Sequence, residues 1–246
     1  MLPYVGGQCA ALYADKPIYD IPGVPVCTGR ELVASLQQQV APFAPTLHLG
    51  QEVTSFSTLP DGRLQLATSA GTQFVARALF IAAGIGAFQP RRLRIPGIDA
   101  FEAEPQQLAT LQRLRESGRV QVVTGQPTGF ATGGNGELAQ LALSHAEGPD
   151  TPLNLDLLLV RQGLSPRLGA IADWGLAMKR KQLVVDPASC ATSLPGVYAV
   201  GDINHYPGKK KLILCGFHEA TLAAYDAAER LVSGRKVVLE YTTTSS

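Results

Sequence analysis

The 246-residue chain carries little charge and offers no long apolar run. Charged residues make up 17 % of it and the formal net charge is +1, which excludes a uniformly basic nucleic-acid-binding chain and an acidic tail. The longest apolar stretch, around residues 78–88, falls well short of the ~18 residues that a membrane-spanning helix needs. The first residues lack the basic and apolar regions of an export signal. We therefore expect a cytoplasmic protein with neither a membrane nor a nucleic-acid partner.

Cysteine is scarce, and its spacing matches no redox or metal motif. No pair forms a C-x-x-C sequence, and no histidine spacing completes a zinc pattern. We expect reduced thiols that act as small hydrophobic side chains, with no metal site and no disulfide scaffold. The four cysteines are Cys9, Cys27, Cys190 and Cys215.

Hydrophobic residues, in contrast, make up 46 % of the chain, enough to bury a core. Thr28 and Glu31 form a capping box that predicts a helix start, and Pro42 ends the apolar helical pattern. The remaining pattern, rich in glycine and proline, predicts a loop-rich α/β fold. Further strands are predicted at 53–57, 64–68, 74–83, 120–124, 138–144, 155–160, 183–185 and 197–200, and further helices at 105–117 and 216–233.

No glycine-rich segment of the sequence fits a phosphate-binding turn. Gly84 and Gly86 follow a predicted strand, but Gln89 occupies the third glycine position of a dinucleotide fingerprint and Pro90 follows it. Without a helix behind the turn there is no row of free N–H groups for a pyrophosphate. The second glycine cluster, residues 133–136, reads as a hairpin tip.

One carboxylate, that of Asp202, is predicted at the end of an apolar strand. Ligands bind at the carboxyl edge of open α/β sheets, so Asp202 is a candidate binding residue, although an aspartate in this position also serves as a simple turn residue. A helix predicted to begin at Gly216 would present its positive end to the same ligand.

Several longer motifs resemble the thioredoxin-reductase-like (type 2) ferredoxin/flavodoxin–NADP⁺ reductases. The resemblance extends from Gly6 nearly to the last residue, and it accounts for the missing C-x-x-C, because that family moves electrons through flavin alone. The motifs that carry it are Gly6-Gly7-Gln8, Ala11-Leu12-Tyr13, Lys16-Pro17-Ile18-Tyr19-Asp20, Gly23-Val24-Pro25, Ile81-Ala82-Ala83-Gly84, Gly86-Ala87-Phe88, Pro90-Arg91-Arg92-Leu93, Ile171-Ala172-Asp173-Trp174-Gly175-Leu176 and VYAVGDINHYPGKKKLILCG at 197–216.

The resemblance implies an α/β, FAD/NAD(P)-binding flavoprotein reductase fold. Its FAD-binding domain would be discontinuous, residues 1–103 and 185–246, and residues 104–184 would be a reduced, inserted NADPH-binding domain. Family members carry one glycine-rich turn for the FAD pyrophosphate before the counterpart of this chain's start. They carry a second, for NADPH, between the counterparts of Ala100 and Glu104. We therefore expect an apparent N-terminal truncation and an internal deletion.

The same resemblance implies a set of FAD-contacting residues. Tyr13 would stack on the isoalloxazine ring and Asp202 would accept a hydrogen bond from a ribityl hydroxyl, while each aromatic or apolar member could instead be an ordinary core or strand residue. Thr243 would lie in a C-terminal tail that closes over the flavin. The implied contacts are Gln8, Tyr13, Val53, Phe88, Asp202 and Thr243, with no catalytic acid or base.

The implied activity is transfer of electrons from NADPH through FAD to ferredoxin or flavodoxin, in a homodimer. The alternative is a catalytically silent remnant that acts at most as a binding or dimerisation module, since both glycine-rich turns are missing. Two basic clusters, Arg91-Arg92 with Arg94 and Lys209-Lys210-Lys211, would either attract an acidic electron carrier or be solvated loop surfaces.

Overall fold

The computed structural model describes residues 4–84, 86, 89–90, 125–145, 149–158, 160, 164–165 and 168–232. The chain divides into two compact units. Unit 1 contains residues 1–88 and 166–246, and unit 2 contains residues 89–165. The sequence predicted domain boundaries after 103 and 184, so the units divide at other residues, and the assignment of cofactors to domains stays a prediction.

The described helices and strands form a mixed α/β structure. The helices are α1 (Gly7–Ala11), α2 (Gly29–Val40) and α3 (Ile213–Leu231). The strands are β1 (Pro17–Ile18), β2 (Cys27–Thr28), β3 (Val53–Thr58), β4 (Leu64–Thr68), β5 (Gln73–Ala76), β6 (Leu79–Ile81), β7 (Gln89–Pro90), β8 (Gln126–Thr132), β9 (Leu138–Ser144), β10 (Thr151–Asn154), β11 (Leu164–Ser165), β12 (Met178–Lys179), β13 (Gln182–Val184), β14 (Val197–Ala199) and β15 (Asn204–His205).

Helix α2 begins where the capping box predicts. The Thr28 hydroxyl accepts from the Glu31 N–H at 3.3 Å, and the Glu31 carboxylate accepts from the Thr28 N–H at 2.7 Å. These two bonds satisfy backbone donors that the helix itself leaves free. The helix ends at Val40, and a 3₁₀ turn at Ala41–Phe43 that includes Pro42 follows.

The apolar run 74–83 is two strands and not the single strand that the sequence predicted. Strand β5 pairs antiparallel with β4 in the three-stranded meander β3-β4-β5, whereas β6 pairs parallel with β14. The chain turns between them, and the Arg77 guanidinium there donates to the Leu231 carbonyl at 2.8 Å. A meander therefore leads directly into the buried parallel pair of unit 1.

The core of unit 1 joins segments from both parts of the chain. Leu64 and Ile81 pack with Leu183 and Val197 in one cluster of buried side chains. Strand β13, which contributes Leu183, pairs antiparallel with β12 and parallel with β15. Residues 168–185 thus belong with the first part of the chain because they complete its core.

Helix α3 packs its small side chains inward. Ala223 and Ala227 are buried in a second cluster with Tyr198, whose hydroxyl donates to Asp226 at 2.6 Å. Burial, followed by this hydrogen bond, raises the pKa of Tyr198 to about 12. The helix begins at Ile213, three residues before the predicted start. No side chain caps it, so the sequence contains no capping signal that would have predicted this start.

Unit 2 contains an antiparallel sheet in the order β10-β9-β8 and the short pair β7-β11. The predicted hairpin tip is confirmed. The Gly133 N–H donates to the Glu137 carbonyl at 2.8 Å, and Gly136 has a φ of 83°. The strand predicted at 155–160 is wrong: β10 lies at 151–154, and Leu155 instead packs on the leucines of β9.

Other sequence predictions lie outside the described residues, namely the helix at 105–117, the strand at 120–124 and the connector after Pro90. Within the described ranges, none of the helices has the length and apolar content required to cross a membrane. The same residues contain no group of three or more His, Cys, Asp or Glu side chains placed to hold a metal ion.

Candidate functional site

The carboxyl ends of two parallel strands define one edge of unit 1. Strand β14 is fully buried and passes into a 3₁₀ turn at Gly201–Ile203, which carries Asp202. Strand β6 ends beside it and leads to Gly84. Gly201 and Gly84 have φ values of 78° and 60°, in the region that favours glycine. Both strands thus end in glycine turns at the edge where α/β proteins bind ligands.

The opening segment of the chain lies against this edge. A Cβ placed on Gly84 would come within 3.1 Å of the Gln8 side-chain nitrogen, so the amide occupies the space that the glycine leaves. Burial raises the pKa of the Cys9 thiol, and the negative charge of Asp202 raises it further. Gln8 therefore contacts the end of β6 at Gly84, and the charge of Asp202 acts on the next residue, Cys9.

A cleft of about 580 Å³ opens next to Cys9. Tyr13 is 41 % exposed, and the Lys16 ammonium lies 5.5 Å from the centre of its ring. The volume is within the ~300–1,000 Å³ of sites for small molecules and cofactors. The described residues that line the cleft are Cys9, Tyr13, Lys16, Pro17, Ile18, Tyr19, Asp20, Lys211 and Ile213.

The first turn of α3 approaches the same place. Ile213 lines the cleft, and a Cβ on Gly216 would lie 3.6 Å from the Gly201 Cα. Leu212, the N-cap residue, provides no side-chain acceptor for the first backbone N–H groups. The positive end of the helix dipole is therefore directed at the strand edge.

A buried polar network supports the loop that follows β14, and no prediction from the sequence included it. Glu219 of α3 is 1 % exposed. Its carboxylate accepts from the Gly201 N–H at 2.8 Å, the Asn204 amide at 2.9 Å, the Tyr206 hydroxyl at 2.9 Å and the Lys209 ammonium. One carboxylate thus anchors four groups of a single loop, residues 201–209, which we call the Asp202 loop.

The network shifts the protonation equilibria of its members. Burial opposes ionisation of Glu219, but the hydrogen bonds from Lys209, Gly201 and Tyr206, with the Lys209 charge, outweigh burial and lower the pKa of the carboxyl. Burial and the bond to Glu219 raise the pKa of Tyr206 to about 12. At neutral pH Glu219 is therefore an anion paired with Lys209.

This pairing corrects one expectation for the basic cluster. The Lys209 side chain is only 6 % exposed, so it cannot attract an acidic carrier, whereas Lys210 and Lys211 are exposed. A sequence signal for the network did exist. Glu219 lies four and eight residues before the buried Ala223 and Ala227, on the inward face of the helix.

Of the six predicted site residues, the structure places Gln8 and Asp202 at the strand edge and Tyr13 in the wall of the cleft beside it; Gln8 and Asp202 are not among the described residues that line that cleft. Val53 begins β3 in the meander, paired with Thr68, and is not among the described residues that line the cleft. Phe88 and Thr243 lie outside the described residues.

The donor set at this edge fits the ring and sugar-alcohol part of a flavin. In the described part of the chain the Asp202 carboxylate has no hydrogen-bond partner, so it is free to accept from a ligand hydroxyl. Tyr13 offers an exposed aromatic face, and the uncapped N-terminus of α3 favours negative charge. A planar, electron-accepting ring with a polyhydroxyl chain matches these groups.

Comparison with known proteins gives close relatives over nearly the whole chain. A ferredoxin–NADP reductase of Acidovorax sp. (strain JS42) is 52 % identical over 299 residues, covering 99 % of this chain and 84 % of the relative. A ferredoxin–NADP reductase of Paracidovorax citrulli (strain AAC00-1) is 49 % identical, covering 100 % and 85 %. The first alignment is 53 residues longer than the 246 of this chain, so the relative has residues within the aligned range that this chain lacks.

Family and fold comparisons agree with those relatives. The model of the pyridine nucleotide-disulphide oxidoreductase family matches residues 105–230. The structure is similar to that of thioredoxin reductase from T. acidophilum, with a TM-score of 0.71 and 18 % identity, covering 94 % of this chain and 88 % of the other. The predicted flavoprotein reductase fold and the resemblance on which it rested are confirmed. The chain belongs to the ferredoxin–NADP reductase family of oxidoreductases.

Proposed function

We propose that this chain is a flavin-dependent oxidoreductase that passes electrons from NADPH through FAD to ferredoxin or flavodoxin. The observation that carries the proposal is the placement of Gln8 and Asp202 at the ends of two adjacent parallel strands of unit 1, with Tyr13 in the wall of the cleft beside them. Two relatives that are 52 % and 49 % identical to this chain are ferredoxin–NADP reductases, which supports NADPH as the donor and ferredoxin as an acceptor.

The chain's own residues would bind and orient the flavin. Tyr13 would pack on the face of the ring system, and the Gln8 amide would bond its polar edge. Asp202 would accept from a ribityl hydroxyl, and the first turn of α3 would stabilise negative charge on the ring. The flavin, when bound, supplies the chemistry of accepting a hydride and releasing electrons, so no protein acid or base is required.

The finer parts of the proposal extend beyond the cleft. We propose further FAD contacts at Val53, Phe88 and Thr243. Only the resemblance of the surrounding sequence to the family's motifs supports these three. A homodimer is proposed as the assembly and the cytoplasm as the compartment. The predicted division, FAD on residues 1–103 and 185–246 and NADPH on 104–184, is proposed with one change: residues 168–184 go with the FAD-binding part, because they complete the core of unit 1.

A second candidate is a catalytically silent remnant that binds a partner or dimerises. The observation that favours it is a gap within the alignment: the Acidovorax relative has residues in the aligned range that this chain lacks. A family member without part of its nucleotide-binding segment would keep the flavin cleft of unit 1 and lose reduction by NADPH.

A spectrum of the purified full-length chain, before and after addition of FAD, tests the proposal. We expect bound flavin absorbance near ~450 nm, which anaerobic NADPH bleaches and an added ferredoxin or flavodoxin restores. Asp202→Asn is the matched variant, because it keeps the side-chain volume and removes the charge that accepts the ribityl bond. We expect it to weaken FAD binding about tenfold, as one charge-assisted hydrogen bond is lost.

Each outcome separates the two candidates. Flavin that binds but is not bleached by NADPH would favour the remnant and refute the electron-transfer function. A chain that takes up no flavin at all would refute the proposed site itself. Equal FAD affinity of the wild type and Asp202→Asn would remove Asp202 from the site.

A further inference from the structure

Three side chains, Lys209 of the Asp202 loop and two from elsewhere in the sequence, hold the backbone on both sides of Asp202. Before it, the Gly201 N–H donates to Glu219 at 2.8 Å and the Gly201 carbonyl accepts from Lys209 at 3.0 Å. After it, the Asp202 carbonyl accepts from the Gln182 amide at 3.0 Å. The same amide donates to the Asn204 carbonyl, in β15, at 2.9 Å. The peptide groups that flank Asp202 are thus held by side chains and not only by the loop itself.

The nature of these side chains indicates a role in geometry. A buried ion pair adds little net stability compared with apolar side chains of similar volume, because both charges lose their hydration. Yet Glu219 is 1 % exposed and the Lys209 side chain 6 %, and all four donors to Glu219 come from the Asp202 loop. A directional, multiply bonded anion fixes one loop conformation, which apolar contacts alone do not specify.

The side chain that this arrangement presents is itself free. The Asp202 carboxylate has no hydrogen-bond partner within the described ranges, and after burial its charge is the next cause of the raised pKa of Cys9, a residue of the cleft wall. A free carboxylate on a rigid backbone is the arrangement expected of a ligand-binding group.

We propose that Glu219 is a positioning residue. Together with Lys209 and Gln182 it fixes the backbone at Asp202, so that the Asp202 carboxylate keeps one position at the strand edge, ready to accept from a ligand hydroxyl. The part of this inference that concerns flavin affinity rests on the proposed function. The part that concerns the placement of Asp202 is independent of any ligand.

The first test uses Cys9 as a reporter in the full-length chain without flavin. Alkylation of Cys9 by iodoacetamide is followed across pH by mass spectrometry of the Cys9 peptide in the wild type, Glu219→Gln, Asp202→Asn and the double variant. We expect Asp202→Asn to lower the pKa of Cys9, Glu219→Gln to lower it in the same direction, and the double variant to show no further change. The other titratable neighbours of Cys9 are unchanged in all four chains; they are Cys27, Tyr13, Lys16, Tyr19, Asp20 and Lys211.

The second test measures flavin affinity by titration of the same four chains with FAD. We expect Glu219→Gln to weaken binding about tenfold in the wild-type background and not at all in the Asp202→Asn background, since residues that act through one another are not additive. Urea unfolding without flavin should instead show additive changes in the free energy of unfolding. Since stability does not require the Asp202 carboxylate, the double variant should lose about as much stability as Glu219→Gln alone.

Tyr198→Phe is the matched control. It removes a buried hydrogen bond between β14 and the same helix, at Asp226, and leaves the Asp202 loop untouched. We expect it to lower stability without changing the Cys9 profile or the FAD affinity. If Tyr198→Phe moves the Cys9 profile as much as Glu219→Gln does, general destabilisation explains the effect and the inference is overturned.

The remaining outcomes also decide between the possibilities. A Cys9 profile of Glu219→Gln identical to the wild type overturns the inference. If the wild type binds no FAD, the proposed function fails, and the Cys9 profiles still decide whether Glu219 places Asp202. If Glu219→Gln does not fold, Gln182→Met removes the bonds on the other side of Asp202 and must show the same loss of additivity with Asp202→Asn.

Discussion

Removal of the buried cation Lys209 is the perturbation with the largest expected effect on stability. In Lys209→Met the Glu219 carboxylate keeps three donors but loses its counter-charge while remaining 1 % exposed. Removing one partner of a buried ion pair lowers the free energy of unfolding by about 3–5 kcal/mol, because an uncompensated charge stays buried. That is a large part of the ~5–15 kcal/mol that stabilises a typical domain.

The assay is urea unfolding at pH 7, followed by the fluorescence of Trp174. This is the only tryptophan of the chain, and its ring stacks on Phe56 with 5.1 Å between ring centres, in the core of unit 1. Lys210→Met is the control, since Lys210 is the exposed neighbour of Lys209. Surface changes of this kind usually stay within about 0.5 kcal/mol.

The pH dependence has opposite signs in the two chains. In the wild type the pKa of Glu219 is lower in the folded chain than in the unfolded chain. The Glu219 contribution is therefore complete above the unfolded pKa and is lost as pH falls through the folded pKa. In Lys209→Met, burial without the cation raises the folded pKa above the unfolded one, so protonation favours folding and the difference between the chains shrinks at acidic pH. Equal stability of Lys209→Met and Lys210→Met at pH 7, or a difference that does not change with pH, would show that Lys209 does not compensate the buried charge of Glu219.

Three further predictions concern other parts of the chain. Gly29→Ala should lower stability by about 1–3 kcal/mol, measured by urea unfolding, since a Cβ there would lie 2.5 Å from the carbonyl oxygens of Cys9 and Tyr13; an unchanged midpoint would contradict it. In unit 2, Leu141→Ala, at a position 4 % exposed, should cost about 2–5 kcal/mol, and amide exchange across β8 and β9 should quicken while exchange in α3 stays unchanged. Charge reversal of Lys210 and Lys211 to Glu should slow reduction of an acidic carrier protein and spare a small dye, with the difference vanishing at high salt; an equal loss with both acceptors would rule out docking there.

The features that the sequence predicted well are local ones. The capping box at Thr28 fixed the start of α2 because both of its hydrogen bonds lie within one helical turn. The tip at Asn135-Gly136 fixed a hairpin because glycine supplies the positive φ that the turn needs. In each case the deciding interactions are between residues close in sequence.

The features that were missed depend on distant partners. The run 74–83 has one apolar pattern, but its halves pair with different strands, and the partner of β6 is β14, more than a hundred residues later. At the site, Lys209 looked like one of three exposed lysines until its partner Glu219 was known. A sequence pattern records which side chains are apolar, and it does not record which charges compensate each other inside the fold.

The pairing of β6 with β14 also affects the order in which the chain folds during translation. During translation the first 88 residues emerge before Val197–Ala199 exist, so Ile81 and Leu64 leave the ribosome without the strand and core side chains that later cover them. The β8-β9 hairpin pairs residues that are close in sequence and can form meanwhile. The nascent unit 1 thus exposes an apolar strand edge until Val197–Ala199 have been synthesised, and a holding chaperone would affect the yield of folded protein most during this interval.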